Sequence, residues 1–159
     1  YNLGGGILMT DDSATVAGRP KTPIWFWIVG VVALIWNSFG AVDYTLTQMG
    51  NEAYLAAFTE EQLAFYLGFP VWYEAVWAIA VWTAVLGSLA LLIRSKYAAP
   101  VFLVSLVFFL VSAAYLFGFT AAYDLMGGIG GVIFSAVIFA SLVAFWRVAA
   151  WGVKAGILR

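Results

Sequence analysis

Four long apolar runs constrain this chain more than any other feature. They extend from about Ile24 to Leu46, Val71 to Ile93, Val101 to Tyr123 and Ile129 to Trp151. A bilayer core is about 30 Å thick and takes about 20 helical residues to cross, so each run is long enough to span it. In hydrocarbon every backbone N–H and C=O must be satisfied within the protein, and a helix does this segment by segment. The spacing therefore predicts an all-α fold, a polytopic membrane four-helix bundle. Composition points the same way: 65% of the 159 residues are hydrophobic and 9% charged, whereas a soluble domain carries about 25% charged residues. The membrane domain covers 24–151, between a polar tail over 1–23 and a short tail over 152–159. Met9-Thr-Asp-Asp reads as a natural start, with residues 1–8 as an upstream or non-native extension.

The connection over 48–70 is too long for a bare loop in a compact protein. Asn51 precedes Glu52-Ala-Tyr-Leu-Ala-Ala-Phe58 as a helix cap, and Thr59-Glu-Glu-Gln62 is a capping box opening a second short helix to about Leu67. Tyr54, Leu55, Phe58, Leu63, Phe65, Tyr66, Leu67 and Phe69 give this segment an apolar underside. It is expected to form an amphipathic helical cap lying over the bundle at the membrane surface.

Small residues mark the expected contact faces. Gly30, Ala33, Asn37, Ala41, Tyr44 and Gln48 share one side of the first helix; Ala80, Ala84, Gly87 and Ala90 line the second. Ser105 and Ser112 share a face of the third, and Ala136, Ala140 and Ala144 are spaced for close approach on the fourth.

Charge sets the expected orientation. The seven basic residues are Arg19, Lys21, Arg94, Lys96, Arg147, Lys154 and Arg159, and none lies in the 1–2 or 3–4 connections. By the positive-inside rule both termini are cytoplasmic and the cap faces outward. Acid gathers at the opposite end: Asp43, Glu52, Glu60, Glu61, Glu74 and Asp124, with no Lys or Arg among them.

Cysteine and histidine are both absent, which removes disulfides, thiolate nucleophiles, Cys/His metal sites and His-ligated haem. No cofactor, metal or nucleic-acid partner is expected. The candidate ligand-binding residues are Asn37, Asp43, Tyr44, Gln48, Trp72, Glu74, Trp77, Tyr115, Tyr123 and Asp124. Together they describe an outward pocket, floored by Asn37 and ringed by carboxylates and aromatics, chemistry that suits a sugar-like polyol or an organic cation. Asn37 is expected to reach Glu74 or Tyr115 across the helices. Each feature also has a plainer account. Trp and Tyr collect at membrane interfaces without any ligand, an amide on a contact face joins helices, and outer-loop acids suit a helix N-terminus.

The run Ile35-Trp-Asn-Ser-Phe-Gly-Ala-Val-Asp-Tyr-Thr-Leu-Thr-Gln48, with Asn51-Glu-Ala-Tyr54, Phe58-Thr-Glu-Glu-Gln-Leu63 and Gly68-Phe-Pro-Val-Trp72, resembles a family of small four-helix bacterial inner-membrane proteins often labelled sugar transporters. The resemblance covers about Ile24 to Pro100 and implies a four-span inner-membrane protein with membrane lipids around it. The expected function is non-enzymatic: an accessory subunit of a larger membrane complex, or a small, homo-oligomeric protein binding or transporting a sugar-like solute. The alternatives are a proton-coupled organic-cation transporter and a membrane-embedded enzyme acting on a lipid-borne substrate through Glu74 and Asp43.

Overall fold

A computed structural model describes residues 21–159; the expectations for the tail over 1–20 lie outside them. Four long helices dominate the described residues, α1 (Ile24–Gln48), α4 (Val71–Leu92), α5 (Ala98–Phe119) and α7 (Ile129–Lys154). Each is long and apolar enough to cross a membrane. The protein is an all-α, multi-pass four-helix bundle. Three short helices complete it, α2 (Glu52–Leu55) and α3 (Glu60–Leu67) between α1 and α4, and α6 (Ala122–Leu125) between α5 and α7.

Local sequence explains where the short helices begin. The Asn51 side chain accepts from the Tyr54 N–H at 2.9 Å, and α2 closes after a single turn rather than running to Phe58. Thr59 and Gln62 form the reciprocal capping box, each side chain bonded to the other's backbone N–H.

Three of the long helices stop by one device. After α1, α4 and α7 the chain turns left-handed at Gly50 (φ 62°), Arg94 (φ 58°) and Gly156 (φ 69°). The next N–H then reaches back: Asn51 to Leu46 O, Ser95 to Ala90 O and Ile157 to Gly152 O. This Schellman arrangement satisfies carbonyls that a helix end leaves open. Arg94 adopts it at the cost of a strain that glycine would avoid. Its guanidinium lies 6.0 Å from the Trp27 ring centroid and donates to Thr22 Oγ1 at 3.4 Å.

The helices lie in the order α1, α4, α5, α7, with α4 packed on both α1 and α5. Buried small residues let these axes approach: Gly30, Ala33 and Ala41 on α1, and Ala80, Ala84 and Gly87 on α4. Polar side chains bolt the seams. Ser105 donates to Ala80 O at 2.7 Å, Tyr73 and Ser112 share a bond of 2.8 Å, and Trp36 Nε1 donates to Ser141 at 3.0 Å. Such bonds in membrane helices average about 0.6 kcal/mol each, so they fix register more than they supply stability.

The core sits at the end that carries the basic residues. Phe26, Ala33, Leu91, Ala98, Phe102, Phe145 and Ala149 meet there, joined by Ile157 and Leu158. Residues 155–159 are therefore no free tail. Arg159 N–H donates to Arg94 O and Lys96 N–H donates to Arg159 O, at 2.9 and 2.8 Å, so the segment is strapped across the end of the bundle. The apolar residue after a left-handed helix cap tends to fold back on the last turn, and here it enters the core.

Two further expectations are corrected. The third helix ends at Phe119, short of Tyr123, because the backbone at Thr120 is extended (φ −132°); the Thr120 hydroxyl then accepts from Ala122 N–H at 3.2 Å. On α7, Ala136, Ala140 and Ala144 are all exposed. The buried positions of that helix begin only at Leu142; Ala136 and Ala140 lie before that point, on the cap-end half, and Ala144 faces outward just beyond it.

Candidate functional site

Asn37 lies in the middle of α1 on its buried face. Its Nδ2 donates to Ser88 Oγ at 2.9 Å and to Ala84 O at 3.4 Å, while Ser88 itself donates to Ala84 O at 2.8 Å. The partner helix is the second span, as expected, but the partners are not Glu74 or Tyr115. From residue 74 to 88 along α4, at 1.5 Å per residue, is about 21 Å. Asn37 thus joins two helices well below the cap and floors no pocket there. Replacing Asn37 with leucine leaves the Ser88 hydroxyl with only its own helix's carbonyl. The expected cost is about 1 kcal/mol, and Ser88→Ala combined with Asn37→Leu should cost less than the sum of the two. Thermal unfolding of the four proteins in one detergent checks this; additive losses would show that the two side chains are uncoupled.

Five of the remaining candidates, Asp43, Tyr44, Trp72, Trp77 and Tyr115, fall in two groups at the cap end. Tyr44 packs edge-to-face on Trp77 (centroids 5.0 Å, 86°), and Trp77 stands one turn beyond Glu74 on α4. Trp77 meets Phe69 at 6.5 Å, Phe69 meets Tyr73 at 4.5 Å, Tyr73 meets Tyr115 at 5.0 Å and Tyr115 meets Trp72 at 4.7 Å. These contacts make one continuous aromatic layer between the cap and the bundle. Edge-to-face pairs each add about 0.5–1.5 kcal/mol beyond the area they bury.

The second group forms where α1 passes under α2 and α3. Asp43, half-buried, accepts a hydrogen bond from the Tyr54 hydroxyl. Tyr54 packs on Phe58 (5.5 Å, 60°) and Phe58 on Tyr66 (5.4 Å, 74°). Burial, with the bond to Asp43 and its charge adding to it, pushes the Tyr54 phenol well above its ordinary value. Burial raises Tyr66 too, with the Asp43 charge adding to it, so both phenols stay protonated at neutral pH.

Gln48, Tyr123 and Asp124 are exposed and join neither group. Tyr123 lies beside the Gly127–Gly128 turn, whose left-handed backbone (φ 85° and 61°) favours glycine. Glu74 is half-exposed. Among the described residues no three acidic side chains come together closely enough to hold a metal ion. The cap is tied to the second hairpin by Gln62 Nε2, which donates to Leu125 O at 2.9 Å.

Sequence reasoning placed Tyr54, Phe58 and Tyr66 only on the underside of the cap. Their association with Asp43 depends on the angle at which α2 and α3 fold back over α1. The signal for it was the Asn51 cap, which fixes where the chain reverses. A separate groove of about 310 Å³ lies between α1 and α4, lined by Ser38, Ala41, Val42, Thr45, Leu46, Trp82 and Val85. Ser38 and Thr45 both donate to carbonyls of their own helix, Leu34 and Ala41, so their hydroxyl protons are committed there.

Compared with known proteins, no family model matches the chain, and neither the curated proteins nor the solved structures give a match.

Proposed function

We propose that this chain is a non-enzymatic accessory subunit of a larger assembly in a bacterial inner membrane. In this reading both termini are cytoplasmic, and the cap presents an acidic, aromatic face outside to a small polar solute. The observation that carries the subunit reading is the exposed face of α7 that Ala136, Ala140 and Ala144 share, running from its cap-end half past Leu142. Small residues at that spacing let a second helix come close, and dispersion between tightly packed backbones then drives association in lipid. The strapped basic end, where Phe26, Leu91 and Phe102 are almost fully buried, weighs against a path through a single copy. The distribution of lysine and arginine supports the orientation.

Native mass spectrometry of the protein released from its own membrane tests the assembly. The expected result is a complex of fixed stoichiometry, either with further copies or with partner membrane subunits, carrying some membrane lipid. A lone chain under conditions that keep other complexes intact would overturn the proposal. A reporter fused after Arg159 should be cytoplasmic and one inserted near Asn51 external; the reverse would move the acidic face to the wrong side.

A further inference from the structure

We propose that Arg94, Lys96 and Arg159 form a seat for the headgroup of an anionic phospholipid at the strapped end of the bundle. The inference requires that the chain spans a membrane, but not that it is a subunit or which way it faces.

The backbone supplies the first argument. Arg94 and Lys96 stand in the turn after α4, and the strap carries Arg159 to them from far along the chain. Arg159 N–H donates to Arg94 O at 2.9 Å, and Lys96 N–H donates to Arg159 O at 2.8 Å. Three cationic residues are thereby held side by side by main-chain bonds, so their clustering is a property of the fold. Among the described residues every acid lies in 43–74 or at 124, at the cap end. No acidic side chain there is placed to pair with them. Like charges gathered in this way repel, and an anion that joins them relieves the repulsion.

Arg94 supplies the second argument. It takes the left-handed position (φ 58°) that α1 and α7 give to Gly50 and Gly156, and the strain falls on an arginine. The guanidinium, half-buried, lies 6.0 Å from the Trp27 ring centroid and donates to Thr22 Oγ1 at 3.4 Å. Those contacts fix its place and use little of its capacity. A guanidinium carries five N–H donors in a planar fork that matches phosphate oxygens.

The surroundings decide the source of the phosphate. Ile93, Tyr97 and Trp27 stand exposed beside these cations, and Lys96 Nζ lies 5.8 Å from the Tyr97 ring centroid. Cations among exposed aromatic and aliphatic side chains suit the headgroup boundary of a bilayer. There a lipid's phosphate meets the charges while its acyl chains cover the apolar surface. A free phosphate would leave that surface bare.

Retention of radiolabelled phosphatidylglycerol by the purified full chain, immobilised in a non-ionic detergent with excess unlabelled phosphatidylcholine, tests the seat. Saturable retention is expected, well above that of labelled phosphatidylcholine. Arg159→Ala, which keeps both main-chain bonds, and Arg94→Gly, which relieves the strain, should each weaken it about fivefold, the worth of one basic side chain near anionic lipid. Both should unfold no earlier on heating than the parent. Arg147→Ala removes the same charge from α7, outside the strap and the 94–96 turn, and should leave retention unchanged. Equal retention of the two lipids by the parent chain would overturn the proposal. So would an equal loss in Arg147→Ala and Arg159→Ala, since only the general field of the basic end would then be acting. Displacement of the lipid by inorganic phosphate would overturn it too, by showing that the cluster takes a free anion. Should Arg94→Gly fail to fold, Arg159→Ala decides: undiminished retention there sinks the seat. The measurement needs no partner subunit, so its outcome is separate from that of the mass-spectrometric test.

Discussion

Gly87→Val is expected to prevent stable assembly of the bundle, and even Gly87→Ala should destabilise it. A Cβ placed on Gly87 would meet Phe102 ring atoms at 2.9, 3.0 and 3.1 Å. Real contacts of this kind essentially never fall below 3.0 Å, so something must move. Phe102 is wholly buried, wedged against Phe145 at 6.1 Å between ring centroids, so the ring has nowhere to go. Alanine in a helix is favoured over glycine by up to about 1 kcal/mol, whereas overpacking costs about 1–3 kcal/mol. The clash therefore wins for alanine, and by more for valine. Gly118→Ala and Gly130→Ala are the controls, since a Cβ at either meets nothing within 4 Å. Thermal unfolding in detergent should rank Gly87→Ala below both, with Phe102→Leu partly restoring it. A Gly87→Ala protein as stable as the controls would mean that α4 and α5 pack less tightly than described.

The second large effect should come from Leu158. It is 4% exposed and presses on Gly152, whose Cβ would lie 3.0 Å from it. Leu158→Ala should cost about 2–5 kcal/mol through lost burial and the cavity left behind. Leu158→Asp should cost more, because it sets an unpaired charge among Phe26, Ala33 and Phe145. Arg159→Ala keeps both backbone bonds to 94–96 and should be nearly neutral. The ratio of folded to aggregated protein in size-exclusion chromatography would register the difference. If Leu158→Asp and Arg159→Ala eluted alike, the strap would not hold the basic end closed.

How far the sequence disclosed this structure depends on the range of the forces involved. The capping box at Thr59 and Gln62 was legible because both partners lie within one turn. The buried face of α1 was legible too, since Gly30, Ala33, Asn37 and Ala41 repeat at the helical period. Ala136, Ala140 and Ala144 repeat equally well and yet face outward, because period marks a face without naming what covers it. The end of α5 was hidden by an apolar run that continues past Phe119; a turn at Thr120 leaves little trace in hydropathy. The strap was hidden in the same way, by a short apolar pair in a polar context, although Gly156 before Ile157 and Leu158 carried the signature of a folded-back helix end. At the candidate site, composition along the chain revealed the acid and the aromatics. Their division into an aromatic layer and the group at Asp43 is set by how the cap folds over α1, a tertiary choice that no local pattern encodes.

The strap also dictates an order of events during synthesis. Ile157 and Leu158 leave the ribosome after all four spans, yet the core around Phe26 and Leu91 cannot close until they arrive. Contacts so distant in sequence are the slowest to form, and chains generally acquire structure from the N-terminus as they emerge. The membrane would therefore hold these four inserted helices with an unlatched end until Ile157 and Leu158 have emerged from the ribosome. During that interval Phe26 and Phe102, almost fully buried in the finished bundle, are still uncovered.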